Sequence, residues 1–479
     1  MAIERKKKNI FEVAEGENLF VPKYGDFAKQ DPPKIEKEMV QLPPKCDKEP
    51  IINVGIMEAE KIDVSFNSDY LCTEIPNINF YGSYSFASEN GNIIYDNKQF
   101  STLHFYAKTN NKIVHNTFSI ENVMIGIGFH WERLEKQTFE GNLTLRCNNN
   151  KILVINNIST EDYLYSVISS EMSATAGLEL LKAHAIISRS WLLKPIIEKS
   201  ITTCNVCETV TEEETIRWYE RDSHTLFDVC ADDHCQRYQG IARADNENVR
   251  SAIEATRGVV LTCDGKICDA RFSKSCGGVS ELFSSCWDNK DEKYLQPIVD
   301  SDTERVMEDL TKEENAVKWI LSEHDSFCNT KDVDILSSIL NNYDRETTDF
   351  YRWKVEYTID ELSEIIKARS GIDFGTITDL IPLQRGPSGR ITRLKIIGTK
   401  RTHIVGKELE IRKWLSTSHL YSSAFTIDKA EGKFTLIGAG WGHGVGLCQI
   451  GAAVMAAKGY KYDSILYHYF KDSELTQLY

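Results

Sequence analysis

Positive charge is in deficit in this 479-residue chain: 56 lysines and arginines face 71 aspartates and glutamates, a formal net charge of −15. That balance excludes nucleic acid as the main partner, because phosphate binding rests on clustered cations. Long apolar runs are missing as well. No stretch approaches the roughly 20 residues of a spanning helix, so no membrane span is expected. The basic run Arg5–Lys8 is followed by Ile10-Phe11-Glu12-Val13-Ala14-Glu15, which is not the apolar core of a leader, so as written the chain is expected in the cytoplasm. A complete set of disulfides is excluded by the count of 13 cysteines, an odd number. Spread over so long a chain, they read as thiols and metal ligands. A strand–GxGxxG–helix dinucleotide unit and an HExxH helix are absent, which removes the usual signals for nucleotide binding and zinc hydrolysis.

What remains is globular: 41% hydrophobic and 27% charged residues, in a chain long enough for two to four domains of roughly 150 residues each. Six of the 11 prolines fall at or before residue 50. Residues 1–48 therefore read as an extended arm with little regular structure. Residues 49–150 read as a β-rich domain. Runs such as Ile51–Ile56, Ile78–Phe86, Phe118–Phe129 and Lys151–Asn157 are separated by Asn/Gly/Asp turns. At Ser159 the period changes. Ser159 with Asp162 forms a capping-box-like start, and Tyr163, Leu164, Val167 and Ile168 follow at helical spacing. A longer helix is predicted over about Leu178–Ile197, and a capped helix after Thr358 with Glu361. A hairpin over Ile381–Ile397 turns at Gly386-Pro387-Ser388-Gly389. The fold class is α+β, with residues 151–479 as a mixed region.

Within that region, residues 200–240 are acidic, polar and rich in Cys and His, and read as an insertion. Cys204-x2-Cys207 is followed by His224, Cys230, His234 and Cys235. That is zinc spacing for a structural site closed by protein ligands; the alternative is an unmetallated thiol cluster. The loop Gly440–Gly451 has glycine at 440, 442, 444, 446 and 451, a density that lets backbone approach a ligand closely or adopt positive φ.

Several segments, in order, resemble the SpoIID/LytB family, the stage II sporulation protein D and amidase-enhancer group. They are Glu161-Asp162-Tyr163-Leu164, Ser170-Glu171-Met172, the helix Glu179–Trp191 (ELLKAHAIISRSW), the turn Phe272–Gly278, Arg385–Arg390, and Gly440–Ala452 (GWGHGVGLCQIGA). The family pattern is an EYL segment, an SEMP turn, a KAQAVAARTY helix, an S-S-G-G turn and a terminal GWGHGVGMSQYGA loop. The resemblance covers about residues 150–479. Ser173 stands where the family has proline, which loosens the turn around Glu171.

The resemblance implies a lytic transglycosylase that cuts MurNAc–GlcNAc bonds in peptidoglycan glycan strands or muropeptides and leaves 1,6-anhydro-MurNAc ends. The alternative is a non-catalytic glycan-binding enhancer of a cell-wall amidase. In an anhydro-forming reaction the sugar's own hydroxyl attacks, so one carboxyl suffices where ordinary glycosidases need two. The motif gives that role to Glu171. Lys182 and Arg189, two turns apart on one helix face, match polar family positions and are expected to bind sugar or orient Glu171; the alternative is a solvated face. Ser275, Cys276, Gly277 and Tyr294 are expected to line the groove. Cys276 paired with His443 as a nucleophile is a further possibility. Trp441 is expected to stack on sugar. His443 is expected to bond substrate or Glu171, or else to be a buried structural histidine, and Gln449 shares that reading. The family's zinc pattern fits His224, Cys230 and Cys235 best, with Cys204, Cys207 or His234 supplying a fourth ligand. For such an activity the cell envelope is the expected place.

Overall fold

Alternation of apolar and polar residues builds the first half of the molecule in the computed structural model, which describes residues 45–108, 116–127, 132–171, 176–198, 208–219, 224–232, 234–241, 247–303, 307–339 and 349–479. In Lys61–Cys72, for example, Ile62, Val64, Phe66, Tyr70 and Cys72 are buried while most of the residues between them face outward. Of the proline-rich arm expected at 1–48, all but the last four residues lie outside the described residues.

The strands are Ile51–Ala59 (β1), Lys61–Cys72 (β2), Asn79–Glu89 (β3), Asn92–Tyr95 (β4), Lys98–Phe100 (β5), Thr102–Ala107 (β6), Thr117–Ile125 (β7), Arg133–Glu140 (β8), Asn142–Asn148 (β9) and Lys151–Ser159 (β10). They pair in the order β5-β4-β3-β2-β6-β9-β10-β1, with β7 on β2 and β8 on β7. The short strand Val229–Cys230 closes the far edge, parallel to β1. The β9–β10 hairpin turns at Asn149 and Asn150, both at positive φ (47° and 64°), as a tight turn matching strand twist requires. The boundary expected between residues 150 and 151 falls in this turn. Because β10 pairs with both β9 and β1, the early strands and the later region share one sheet and one apolar core.

Helix α1, Thr160–Glu171, lies against that sheet, and α2, Leu178–Glu198, packs on α1 and on strand Val259–Cys263. Ser159 caps α1 as its spacing predicts, its Oγ accepting from the Asp162 N–H at 3.3 Å and donating to Asp162 Oδ2 at 2.7 Å. From Leu180 to Leu193, α2 is buried on nearly every side, with His184, Ser188, Arg189 and Ser190 among the buried residues.

The later half carries a second core around Trp353, Leu394, Trp414, Phe425 and Phe434. Thr358 and Glu361 form the predicted capping box of helix Ile359–Ser370. The predicted hairpin is Ile377–Arg385 with Ile391–Gly398. The segment read as an insertion is stitched into two sheets: Glu214–Arg217 pairs with Thr402–Gly406, and Val229–Cys230 pairs with β1. Among the described residues no helix is long and apolar enough to cross a membrane.

Candidate active site and metal centre

Glu171 is the last residue of α1 and is half-buried. Its Oε1 accepts the backbone N–H of Arg237 at 2.9 Å. The following residues, 172–175, lie outside the described residues, so the Ser-Glu-Met turn is seen only to Glu171. Why Arg237 sits there follows from its neighbours. Gln236 accepts from Tyr163 Oη and donates to the Ser188 carbonyl, both at 3.3 Å. The ring of Tyr238 stacks on Tyr163 at 5.1 Å and 11°, and its hydroxyl donates to Asn156 at 2.5 Å. Ser166 Oγ donates to the Gly240 carbonyl at 2.7 Å. Residues 236–240 are thus latched to α1, α2 and β10, and the latch presents an amide to Glu171.

Just before this latch, the structure brings together His224, Cys230, His234 and Cys235, whose ligand atoms all lie within 4.8 Å of one another. His224 Nε2 lies 3.3 Å from Cys235 Sγ, and His234 Nδ1 lies 3.5 Å from Cys235 Sγ and 3.8 Å from Cys230 Sγ. With metal–sulfur bonds of about 2.3 Å and metal–nitrogen bonds of about 2.0–2.1 Å, a tetrahedral ion holds such atoms about 3.6 Å apart. The donor set therefore fits a closed site. Hydrogen bonding with Cys235, then with His234, pulls the Cys230 thiol down to about 3 despite burial, which favours the thiolate that metals bind. Cys204 and Cys207 lie outside the described residues. Beside the group is a cavity of about 300 Å³, walled by Val123, Ile125, Tyr238 and by His224, Cys230 and His234; Glu171 is not in its lining.

The two cations expected to share a binding face part company. Lys182 is half-buried and pairs with Glu179 at 2.9 Å, 5.7 Å from the Tyr462 ring. Arg189 is fully buried, its guanidinium donating twice to Glu161, at 3.0 and 2.5 Å, and once to the Val259 carbonyl at 2.9 Å. Glu161 also accepts from the Gly258 amide and Tyr479 Oη. Arg189 is a structural cation fastening α2 to α1, not a sugar ligand. Period-3.6 reasoning puts both residues on one face, but it cannot say how deep that face lies.

The second motif group is similarly inward. Ser275 and Trp441 exchange backbone hydrogen bonds at 3.0 and 2.8 Å, and strands Phe272–Ser273 and Leu447–Cys448 run parallel beside them. Gly440 has φ +77°, and a Cβ there would meet the Ser275 carbonyl at 2.8 Å; one on Gly446 would meet the Arg271 carbonyl at 2.1 Å. The glycines expected to admit a ligand instead admit neighbouring backbone at 440 and 446, the Arg390 guanidinium at 444, and Tyr469 with Asp300 at 451. Ser275 and Cys276 are buried, and Gly277 packs on Gly440. Burial pushes the Cys276 thiol well up, the opposite of an activated nucleophile. Tyr294 is buried with its hydroxyl accepting from the Asp269 amide at 2.8 Å, and is not a groove residue. Trp441, partly exposed, stacks on Tyr421 at 4.1 Å and 28°. His443 packs edge-on to Trp287 at 4.9 Å. Its Nδ1 accepts from the Val445 N–H at 3.0 Å, which puts the neutral ring's proton on Nε2. Burial and the guanidiniums of Arg271, Arg412 and Arg390 hold it well below the usual imidazole range.

Three residues escaped the sequence reading. His184, where the family pattern has Gln, is wholly buried; burial drops it to about 3, and its Nε2 lies 3.4 Å from Gln449 Nε2. Buried Arg390 donates to the Cys276 carbonyl at 3.2 Å, the Gly442 carbonyl at 3.1 Å and Ser388 Oγ at 3.0 Å. Buried Glu281 accepts from Ser388 Oγ, Ser285 Oγ and the Leu282 amide. The signal for Arg390 and Glu281 was weak: polar residues beside glycine turns, with partners about a hundred residues away.

The interactions seen thus sort the motif residues into an outward group around Glu171 and the Cys/His segment and an inward group under the glycine-rich loop. Residues 148–263 match the family model of the stage II sporulation protein. Residues 281–446 match a domain of unknown function (DUF8618). The chain is 26% identical over 327 residues to the amidase enhancer of Bacillus subtilis (strain 168), covering 65% of this chain but only 40% of that protein. It is 22% identical over 325 residues to the stage II sporulation protein D of Bacillus amyloliquefaciens and 20% identical over 325 residues to that of Bacillus subtilis (strain 168), covering 67% of this chain and 76% of theirs in each case. The fold is α+β, and the segment matched by the stage II sporulation protein model runs from β9 through α1 and α2 to strand Val259–Cys263. The chain is thus similar, over about two thirds of its length, to proteins named amidase enhancer and stage II sporulation protein D.

Proposed function

We propose that this chain works on the bacterial cell wall as a lytic transglycosylase, with Glu171 as its single acid/base. The observation that carries the reading is the position of Glu171. It stands half-buried as the last residue of α1, inside the segment matching the stage II sporulation protein family, with one carboxyl oxygen held by an amide from a latched loop. The carboxyl donates its proton to the leaving glycosidic oxygen. It then takes the proton of the MurNAc 6-hydroxyl as that oxygen bonds to C1, so the ring closes and Glu171 ends as it began. Preorganisation of the acid matters because a small misplacement costs rate, and the Arg237 amide supplies it.

His224, Cys230, His234 and Cys235 would hold a zinc ion. With all four positions taken by protein the ion is structural; its chemistry is to fix the segment that carries Arg237. Incubating purified protein with peptide-free glycan strands tests the assignment by mass spectrometry. Wild type releases anhydro-ended fragments, and Glu171→Gln, folded by circular dichroism, loses this activity by at least two orders of magnitude. Equal release by both would sink it. The relative named amidase enhancer supports a second reading, a glycan-binding partner of a cell-wall amidase. That reading predicts glycan retention without cleavage, and stimulation of an added amidase by wild type and Glu171→Gln alike.

A further inference from the structure

Beneath the glycine-rich loop, Cys276, Asp300, Cys328 and Cys448 are all buried, and their ligand atoms lie within 4.8 Å of one another. They come from four places in the chain: the turn after strand Phe272–Ser273, two loops, and the residue capping helix Gln449–Ala457. We propose that these residues form a second zinc site, Cys3Asp, separate from the Cys/His group.

The geometry is that of a metal centre more than of a disulfide. Cys276 Sγ and Cys328 Sγ are 3.6 Å apart. Sulfurs on one tetrahedral zinc, with bonds of about 2.3 Å, stand about 3.8 Å apart, whereas a disulfide bond is about 2.05 Å long. Three thiols also cannot be satisfied by one disulfide. The surroundings supply the outer contacts that orient metal ligands. Cys448 Sγ accepts from the Cys276 amide at 3.3 Å and the Gly451 amide at 3.4 Å. Asp300 accepts from Tyr469 Oη at 2.7 Å and the Cys328 amide at 3.0 Å, and His468 Nε2 lies 3.8 Å from it. Sulfur-rich, dry, tetrahedral donor sets select zinc over calcium or magnesium. On binding, the three thiols lose their protons to solvent. The ion then joins segments 52 and 172 residues apart, pinning the Ser275–Gly278 turn to the end of the glycine-rich loop. Cys276, expected in the substrate groove, becomes a ligand.

The test begins with the full chain carrying Cys230→Ser and Cys235→Ser, which removes the other group. After desalting, elemental analysis is expected to find about one zinc per chain. Adding Cys328→Ser lowers that at least fivefold and abolishes the thiolate-to-metal charge-transfer band of the cobalt-loaded protein. Should either variant fail to fold, wild type answers the question by peptide mapping: Cys276, Cys328 and Cys448 resist alkylation until a chelator is added. Free alkylation of these three without chelator, a background variant that folds but holds no zinc, or an intact mass showing a Cys276–Cys328 disulfide would each overturn the proposal. None of these outcomes bears on whether Glu171 cuts glycan.

Discussion

The Cys/His group beside Glu171 and the thiol group beneath the glycine-rich loop use similar ligands, yet they differ in depth and in assembly. The first has its ends, His224 and Cys235, only 11 positions apart and keeps partial contact with solvent. The second gathers residues from 276 to 448 and has none. The same contrast runs through their surroundings. Glu171, His224, Cys230 and Cys235 are half-buried, above a latch whose Gln236 and Tyr238 are buried. Around Gly440–Gly446, backbone packs on backbone, and buried charges such as Arg390 hold three carbonyl or hydroxyl groups at once. Chemistry on a polymer as large as a glycan strand needs the first kind of surface. The second kind makes a scaffold, even though it holds the more distinctive motif.

The largest effect that would sharpen this contrast is at Arg390. Removing its guanidinium leaves Glu281 buried without its nearby cation and strands the Cys276 and Gly442 carbonyls. Arg390→Ala is expected to cost about 3–5 kcal/mol of unfolding free energy by urea titration, and Arg189→Ala the same, through Glu161. The fraction that stays folded should still cleave glycan. A stable Arg390→Ala protein without cleavage would break the contrast, because the inward group would then carry chemistry.

Legibility followed sequence distance. The strands near 51–59, 79–89, 117–125 and 151–159, the capped starts of α1 and of helix Ile359–Ser370, and the hairpin around Gly386–Gly389 were readable because alternation, caps and turns are local signals. That His224, Cys230, His234 and Cys235 come together was readable for the same reason, because they lie close in sequence. What stayed hidden was set by partners far away: that Arg189 answers Glu161, that Cys276 faces Cys328 and Cys448, and that Tyr294 serves the Asp269 amide. A polar residue's type names the chemistry open to it. Its burial, which decides which chemistry it performs, is a property of the assembled core.

A medium effect concerns pH. His184 is buried neutral with its pKa lowered to about 3, against an ordinary value near 6.5. Between those values the unfolded chain binds a proton that the folded chain refuses. Stability is therefore full above the usual imidazole range and falls by about 1.4 kcal/mol per pH unit on acidification, down to about pH 3. His443, also held low, adds loss in the same direction. Glu281, raised by burial, acts oppositely, losing stability as pH rises through and above the carboxylate range. His184→Gln does not titrate, so the difference between variant and wild type isolates one proton. Urea midpoints measured from pH 7 to pH 5 should diverge in favour of the variant as pH falls. Parallel curves would show that His184 is not held neutral, and with it that the floor beneath Gln449 is not dry.

The smallest effect is at Lys182, and it separates the two groups most finely, because Lys182 and Arg189 share one helix. Lys182 pairs with Glu179 three residues before it, with both side chains under one-fifth exposed. A pair of this spacing contributes only about 0.3–0.5 kcal/mol. Glu179 keeps a second partner, the Tyr462 amide at 3.0 Å, so loss of the ammonium does not orphan the carboxylate. Lys182→Ala should therefore leave the urea midpoint nearly unchanged. If Lys182 meets sugar, the same variant weakens retention on glycan strands several-fold while the rate at saturating glycan holds. A stability loss approaching that of Arg189→Ala, with unaltered retention, would move Lys182 into the scaffold and leave Glu171 with fewer companions on α2.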